Sequence, residues 1–338
     1  NASTNKPTSS STSNNQSYEV KEIQGANNMT LPSAKSILTS RVPFNNSDII
    51  KLYSDGSSDS PARLIQSDNC VVTCYFKIPS KYESDNYDVW MRNMLSLQDA
   101  MVIFTQPDLV NQIKGLRNHA LNRTVIIPLS LEDLPFSKLF PASFWQDQLA
   151  RDPEKLHHKS YQLFWIWLSK SWFVSQAIRI NVFNSDLFVW SDIGCFRHKQ
   201  YNNKTMVRYR EQVPLHEMLQ MAHHKPNLPK NELLDLYHIK YKKDATHLYH
   251  SGSIFAGYKK TWIQFHEYFL DTIDRFLQKN MIIVEDQAVL QSTCLSHPDI
   301  CAYAPFNQVK DNHYFGLRHI LHFGGDYNYW RYEKNKVR

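Results

Sequence analysis

Residues 184–194 read NSDLFVWSDIG. An apolar, strand-like run from Leu187 to Trp190 delivers one carboxylate, Asp192, and then a glycine. An ionised Asp is costly to bury unless it is paired or coordinates a metal. In open α/β sheets, ligands lie just beyond the carboxyl ends of the strands. Gly194 lets the backbone turn sharply there and leaves room for a bulky ligand. The plain alternative is a strand followed by an ordinary Asp/Gly turn. A second acidic pair, Glu285-Asp286, opens a helical segment, where acids also complement the positive end of a helix dipole. His157-His158 and His223-His224 are adjacent in sequence and diverge on a helix, so neither pair is suited to share a metal. The aromatic run Tyr161, Phe164, Trp165, Trp167, Trp172 and Phe173 has helical spacing and reads as core rather than as a stacking platform for a ligand.

The elements that must position these groups alternate. Cys70 to Phe76, Ala100 to Thr105 and Val125 to Leu129 are continuous β-rich runs, suited to strands buried on both faces. Helical spacing occupies Tyr87 to Leu97 and Pro107 to Asn118, and a strong amphipathic helix over His158 to Ile178 feeds the Asp192 strand. Leu131 to Leu149 reads as loop and short helix around Pro135 and Pro141. Beyond Asp192 the pattern predicts helix pieces at Val213 to Ala222 and Asn231 to Leu236. A strand or turn follows at Gly252 to Gly257, then a long helix from Lys259 to Lys279. Strands alternating with helices imply an α/β fold with a mostly parallel sheet. Segments 199–250 and 300–338 read as irregular.

With 338 residues, 42% of them hydrophobic, there is material for one large domain. Residues 1–60 are rich in Ser, Asn, Thr, Lys and Asp and read as a polar, partly disordered stem. Residues 61–338 carry the alternating apolar segments and read as the folded domain. The net charge of +6 is scattered apart from Lys240 to Lys243 and the Arg331 to Arg338 tail. That suits an anionic ligand at one site better than nucleic acid, which calls for a clustered basic face. The five cysteines contain no Cys-x-x-Cys pair, which argues against structural zinc. Six Asn-x-Ser/Thr sequons point to the lumen of the secretory pathway, where Cys294 and Cys301 are placed to form a disulfide. No segment reaches the length of a membrane span. With no initiator Met, the chain reads as an ectodomain whose targeting segment has been removed, as in a type II membrane protein of the Golgi or ER.

The order of these pieces resembles the HtrL/YibB (WlaTC-like) family of glycosyltransferases and the wider set of GT-A nucleotide-sugar transferases, over roughly residues 69 to 325. The residues that carry the likeness are Trp190 to Gly194 with Arg197, Gly252 to Gly257, and Glu285-Asp286-Gln287. The resemblance implies a GT-A-like, Rossmann-like single domain. Its donor would be a nucleotide-diphosphate sugar, most simply a UDP-sugar, and its acceptor a hydroxyl of a glycan or glycoprotein. Donor contacts are then expected from Thr73 and Tyr75 on the first strand, from Ser191, Asp192 and Gly194, and from Gly252 and Gly257. Lys170 and Arg117 would hold phosphate or sugar oxygens through charge-assisted bonds. Asp192 with His319 and His322, or with His313, would bind Mn²⁺ or Mg²⁺. Many metal-dependent GT-A enzymes carry Asp-x-Asp, whereas only Asp192 is acidic here. Glu285 and Asp286 would supply the acceptor-activating or sugar-orienting carboxylate, Asp286 above all. The rival reading is a non-catalytic carbohydrate-binding protein on a degenerate transferase fold.

Overall fold

Short runs of β-branched and aromatic residues, apolar on both sides, form strands only where both faces are covered. In the computed structural model such runs build one sheet. The model describes residues 31–40, 64–79, 84–223, 233–234, 250–312 and 314–331. The strands are β1 (Asn69–Tyr75), β2 (Met101–Thr105), β3 (Thr124–Pro128), β4 (Leu187–Ser191), β5 (Met218–Ala222), β6 (His250–Tyr258) and β7 (Cys301–Pro305). They lie in the order β3-β2-β1-β4-β6-β5-β7. The β1–β2, β2–β3, β1–β4 and β5–β7 pairs are parallel, and β6 runs antiparallel to both β4 and β5. The sheet is therefore mixed and mostly parallel, as expected.

Alternation along each strand divides the core into two layers. Cys70, Val72 and Cys74 of β1 face one layer and Val71 the other. The layer holding Val71 is closed by α1 (Ser84–Leu95), through Met91, Met94 and Leu95, and by Ile113 of α2 (Val110–Leu116). The opposite layer collects Phe136 of α3 (Pro135–Leu139), Trp145 of α4 (Ala142–Arg151), α5 (Gln162–Leu168), α6 (Lys170–Ile180), α7 (Lys259–Gln278) and α8 (Asp286–Ser296). A last helix, α9 (Leu317–Phe323), returns to the first layer through Leu317, Ile320 and Leu321. Cys294 of α8 and Cys301 of β7 form the expected disulfide, and Cys70, Cys74 and Cys195 are free and buried.

Several elements differ from the sequence reading. The helix expected over 158–178 is two, because the chain breaks at Ser169, whose N–H is shared between the carbonyls of Trp165 and Ile166. Within the segment expected to be helical at 213–222, residues 218–222 are strand β5, buried throughout between β6 and β7. Met, Leu, Gln and Ala favour helices, but pairing on both edges overrides so small a preference. Strand β7 and helix α9 lie in a stretch read as irregular. Of the helix expected at 231–236, only 233–234 fall among the described residues.

The compact unit begins at Pro32. Within the expected stem, Ala34–Thr39 forms a 3₁₀ helix that buries Ala34 and Ile37 in the core. It is pinned to α7 by Asp274, which accepts from the Ser33 hydroxyl at 2.6 Å and the Ala34 N–H at 2.5 Å. Residues 1–30 and 41–60 lie outside the described residues.

Candidate active site

Strand β1 is followed by β2 on one side and paired with β4 on the other, so the chain winds outward in both directions from the β1–β4 seam. Beyond the carboxyl ends of these two strands the backbones part. Such a switch point is where open α/β sheets form their ligand crevice. A cavity of 380 Å³ opens there, lined by Tyr75 to Pro79 after β1 and Asp192 to Cys195 after β4.

Asp192 is placed by several independent contacts. Its N–H donates to the Ser253 carbonyl at 2.8 Å, continuing the β4–β6 ladder by one residue. The Trp190 indole N–H donates to its Oδ1 at 2.8 Å. The Lys170 ammonium, at the start of α6, lies 2.9 Å from Oδ1 and 3.1 Å from Oδ2. The same ammonium donates to the Gly252 carbonyl at 2.6 Å and pairs with Asp286 Oδ2 at 2.8 Å. One buried cation is thus shared by two carboxylates with unequal surroundings: the Asp192 side chain is 35% exposed, into the cavity, and that of Asp286 only 5%.

The electrostatics follow from that asymmetry. Burial works against the Lys170 charge, but Asp192 and Asp286 more than offset it and hold the ammonium above its ordinary range. Burial likewise pushes the Asp286 carboxyl up to about 6, against the pull of Lys170 and with the help of Asp192. Gly252 is required by the close approach: a Cβ there would meet the two Asp286 oxygens at 2.9 and 3.0 Å. The cavity's remaining polar side chains include Lys77, His157, His158 and Arg197. The Arg197 guanidinium lies 4.4 Å from the ring centre of Trp90 and 5.0 Å from that of Phe315.

A family model described as a bacterial protein of unknown function (HtrL_YibB) matches residues 67–315. The chain belongs to the HtrL/YibB family. Protein HtrL of Escherichia coli (strain K12) is 22% identical to this family member over 226 residues, covering 64% of this chain and 75% of that protein. Among solved structures, the apo form of mouse xyloside xylosyltransferase 1 aligns with a TM-score of 0.40 and 11% identity, over 71% of this chain and 85% of that one.

Of the residues singled out in this HtrL/YibB chain, Tyr75, Asp192 and Gly194 line the cavity, while Lys170, Gly252 and Asp286 form the cluster directly behind Asp192. Glu285 is buried at the position just before α8, beside that cluster, without a side-chain hydrogen bond to the helix's first turn. The others are placed elsewhere. Arg117 is wholly buried and binds protein rather than phosphate: it donates to Thr124 Oγ1 at 2.8 Å and to the carbonyls of Leu95, Leu97 and Asp99. Thr73 and Ser191 are fully buried, Ser191 Oγ lies 4.0 Å from the Met94 sulfur of α1, and neither residue lines the cavity. Gly257 pairs with Phe188, partway back along β4 from the cavity, under Met218 and Trp262.

The two helix histidines do not join Asp192 either. His322 Nδ1 is 2.6 Å from the Thr205 carbonyl and its ring packs on Tyr201 and Phe323; the His319 ring lies against Phe323. Neither lines the cavity. His313 lies outside the described residues. Helix α9 serves the site differently. Its buried Arg318 pairs with Asp311 at 2.8 Å and donates to the Cys195 carbonyl, bracing the turn after Asp192. Asn93 braces the same turn from α1 through the Phe196 carbonyl at 2.9 Å. Residues the sequence reading did not nominate also face the cavity, above all Lys77, Trp167 and His158. The signal for His158 was Asp152, six residues earlier.

Proposed function

We propose that this chain is a glycosyltransferase that moves a sugar from a nucleotide diphosphate, a UDP-sugar on the resemblance above, to a hydroxyl of a glycan or glycoprotein. The observation that carries the reading is the position of Asp192, held by Trp190 and Lys170 at the mouth of the β1–β4 switch point with one edge of its carboxylate facing an aromatic-walled cavity. Tyr75, Tyr87, Trp90 and Trp167 give flat surfaces on which a base or sugar ring stacks. Lys77 and Arg197 give positive charge for a diphosphate. Asp192 accepts hydrogen bonds from sugar hydroxyls.

The expected Mn²⁺ or Mg²⁺ site does not fit these residues. A hard divalent cation in a diphosphate site needs at least one carboxylate not already committed to another cation, with substrate phosphates and water completing its shell. Among the described residues no group of three or more His, Cys, Asp or Glu side chains converges to hold a metal. The carboxylates nearest the cavity already share the Lys170 ammonium, so the fixed cation at this site is a side chain. The lumen of the secretory pathway, reached as a type II membrane protein, is the compartment we assign. The Cys294–Cys301 bond suits an oxidising compartment, and Asn122 and Asn203, the two sequon asparagines among the described residues, are both exposed.

The reading is tested by incubating the protein with a panel of UDP-sugars and glycan acceptors and measuring UDP release and glycosylated product. Acceptor-dependent UDP release that persists in EDTA is the expected result. Tight UDP-sugar binding without turnover of any donor would replace the transferase with a carbohydrate-binding protein.

A further inference from the structure

The cavity wall contributed by the loop between α4 and α5 holds a buried histidine–carboxylate pair. Asp152 closes the end of α4, and its side chain is wholly buried. Its Oδ1 accepts from the Glu154 N–H at 2.8 Å, and its Oδ2 lies 2.5 Å from Nδ1 of His158. The His158 ring is fixed edge-on between Phe164 and Trp167, with centroid separations of 5.9 and 5.0 Å. His158 nevertheless lines the cavity that contains Asp192.

An ionised carboxylate only accepts hydrogen bonds, so Asp152 fixes the proton of a neutral imidazole on Nδ1 and leaves the lone pair on Nε2. Nε2 lies 3.8 Å from Glu154 Oε2, beyond hydrogen-bonding distance. A buried acid that orients a histidine and steadies its charged form is the division of labour found in hydrolase triads.

Building on the transferase reading, we propose that His158 is the catalytic base of the transfer and Asp152 its positioning partner. The acceptor O–H gives its proton to Nε2 while its oxygen forms a bond to the anomeric carbon of the donor. The bond from that carbon to the diphosphate oxygen breaks, and the diphosphate leaves with the electron pair. The imidazolium so formed faces Asp152 at Nδ1 and Glu154 near Nε2. Attack on the side opposite the leaving group makes the transfer inverting. Asp286, buried behind Lys170, is thereby relieved of the role of base that the sequence suggested for it.

The test compares His158→Asn, His158→Gln and Asp152→Asn with the parent protein for melting temperature, UDP affinity by calorimetry, kcat and KM of transfer, and product anomer by NMR. Asn at 158 places an amide N–H near the Nδ1 position, towards Asp152, but has nothing at Nε2, so it preserves a structural role and abolishes a basic one. The expected result is an inverted product from the parent. Both His158 variants should bind UDP normally and lose 10²- to 10⁴-fold in kcat. Asp152→Asn should lower kcat with KM unchanged. Parent-like kcat in His158→Asn, or a retained anomer, overturns the proposal while leaving the transferase reading intact. A parent protein that turns over no nucleotide sugar overturns both.

Discussion

Lys170 and Arg117 are both buried cations, and both were nominated from sequence as phosphate binders, yet they do opposite work. Arg117 spends its planar fork on Thr124 Oγ1 and three backbone carbonyls, tying the end of α1 to the start of β3. Lys170 has a compact ammonium that two carboxylates share, and one of these opens on the cavity. A guanidinium surrounded by carbonyls is a staple with nothing left to offer a ligand. An ammonium that holds an acid by one edge fixes the other edge for use. The partners, rather than the charge or the burial, tell the two apart.

That contrast can be broken most directly at Lys170. Replacing it with Met leaves two carboxylates crowded without their cation. Transfer should fall at least ~10²-fold, and stability should drop by about 3 kcal/mol, within the range for breaking a buried pair. Denaturant melts and turnover measured together check it, and a stable, active variant would dissolve the distinction. Arg117→Met should cost a similar 3–5 kcal/mol by stranding buried carbonyls but leave kcat of the folded fraction at the parent value. A kcat loss without a stability loss would return Arg117 to the site.

Asp192→Asn sharpens the comparison, since it keeps shape and neighbours and removes only the charge. Turnover is expected to fall roughly 10²-fold with melting temperature nearly unchanged. Asp286→Asn tests a signed effect of pH on stability. The folded carboxyl titrates near 6 and the unfolded one near 3.8, so the unfolded state gives up its proton first. Stability from this group therefore falls as pH rises from about 4 to about 6, by at most ~1.4 kcal/mol per pH unit, and is flat above. Urea melts across that window should show the slope in the parent and lose it in the variant.

Much of the sheet was legible because β1 to β4 are continuous apolar runs, and a strand buried on both faces has no other composition. Asp192 was legible for the same reason: an acid that ends such a run is chemically out of place. β5 was not, because its five residues prefer helix locally and become strand only through partners 28 or more residues away. Arg117 was misread because sequence shows a charge but not the three carbonyls that converge on it from before β2. His158 was not legible because in the sequence it stands beside His157, and two adjacent histidines suggest only a shared metal. The informative neighbour was an acid across a loop.

The Cys294–Cys301 bond joins the helix that begins with Asp286 to the edge strand β7, across a separation of seven residues. In chain-entropy terms so short a loop contributes about 2.5 kcal/mol. The acid end of the Lys170 cluster is therefore anchored by a covalent bond that exists only where thiols are oxidised. Protein made in a reducing host would carry the same sequence and the same sheet, with a looser grip on the residue that helps hold Lys170 in place. For this molecule, the oxidation state of the host is a variable of the site itself.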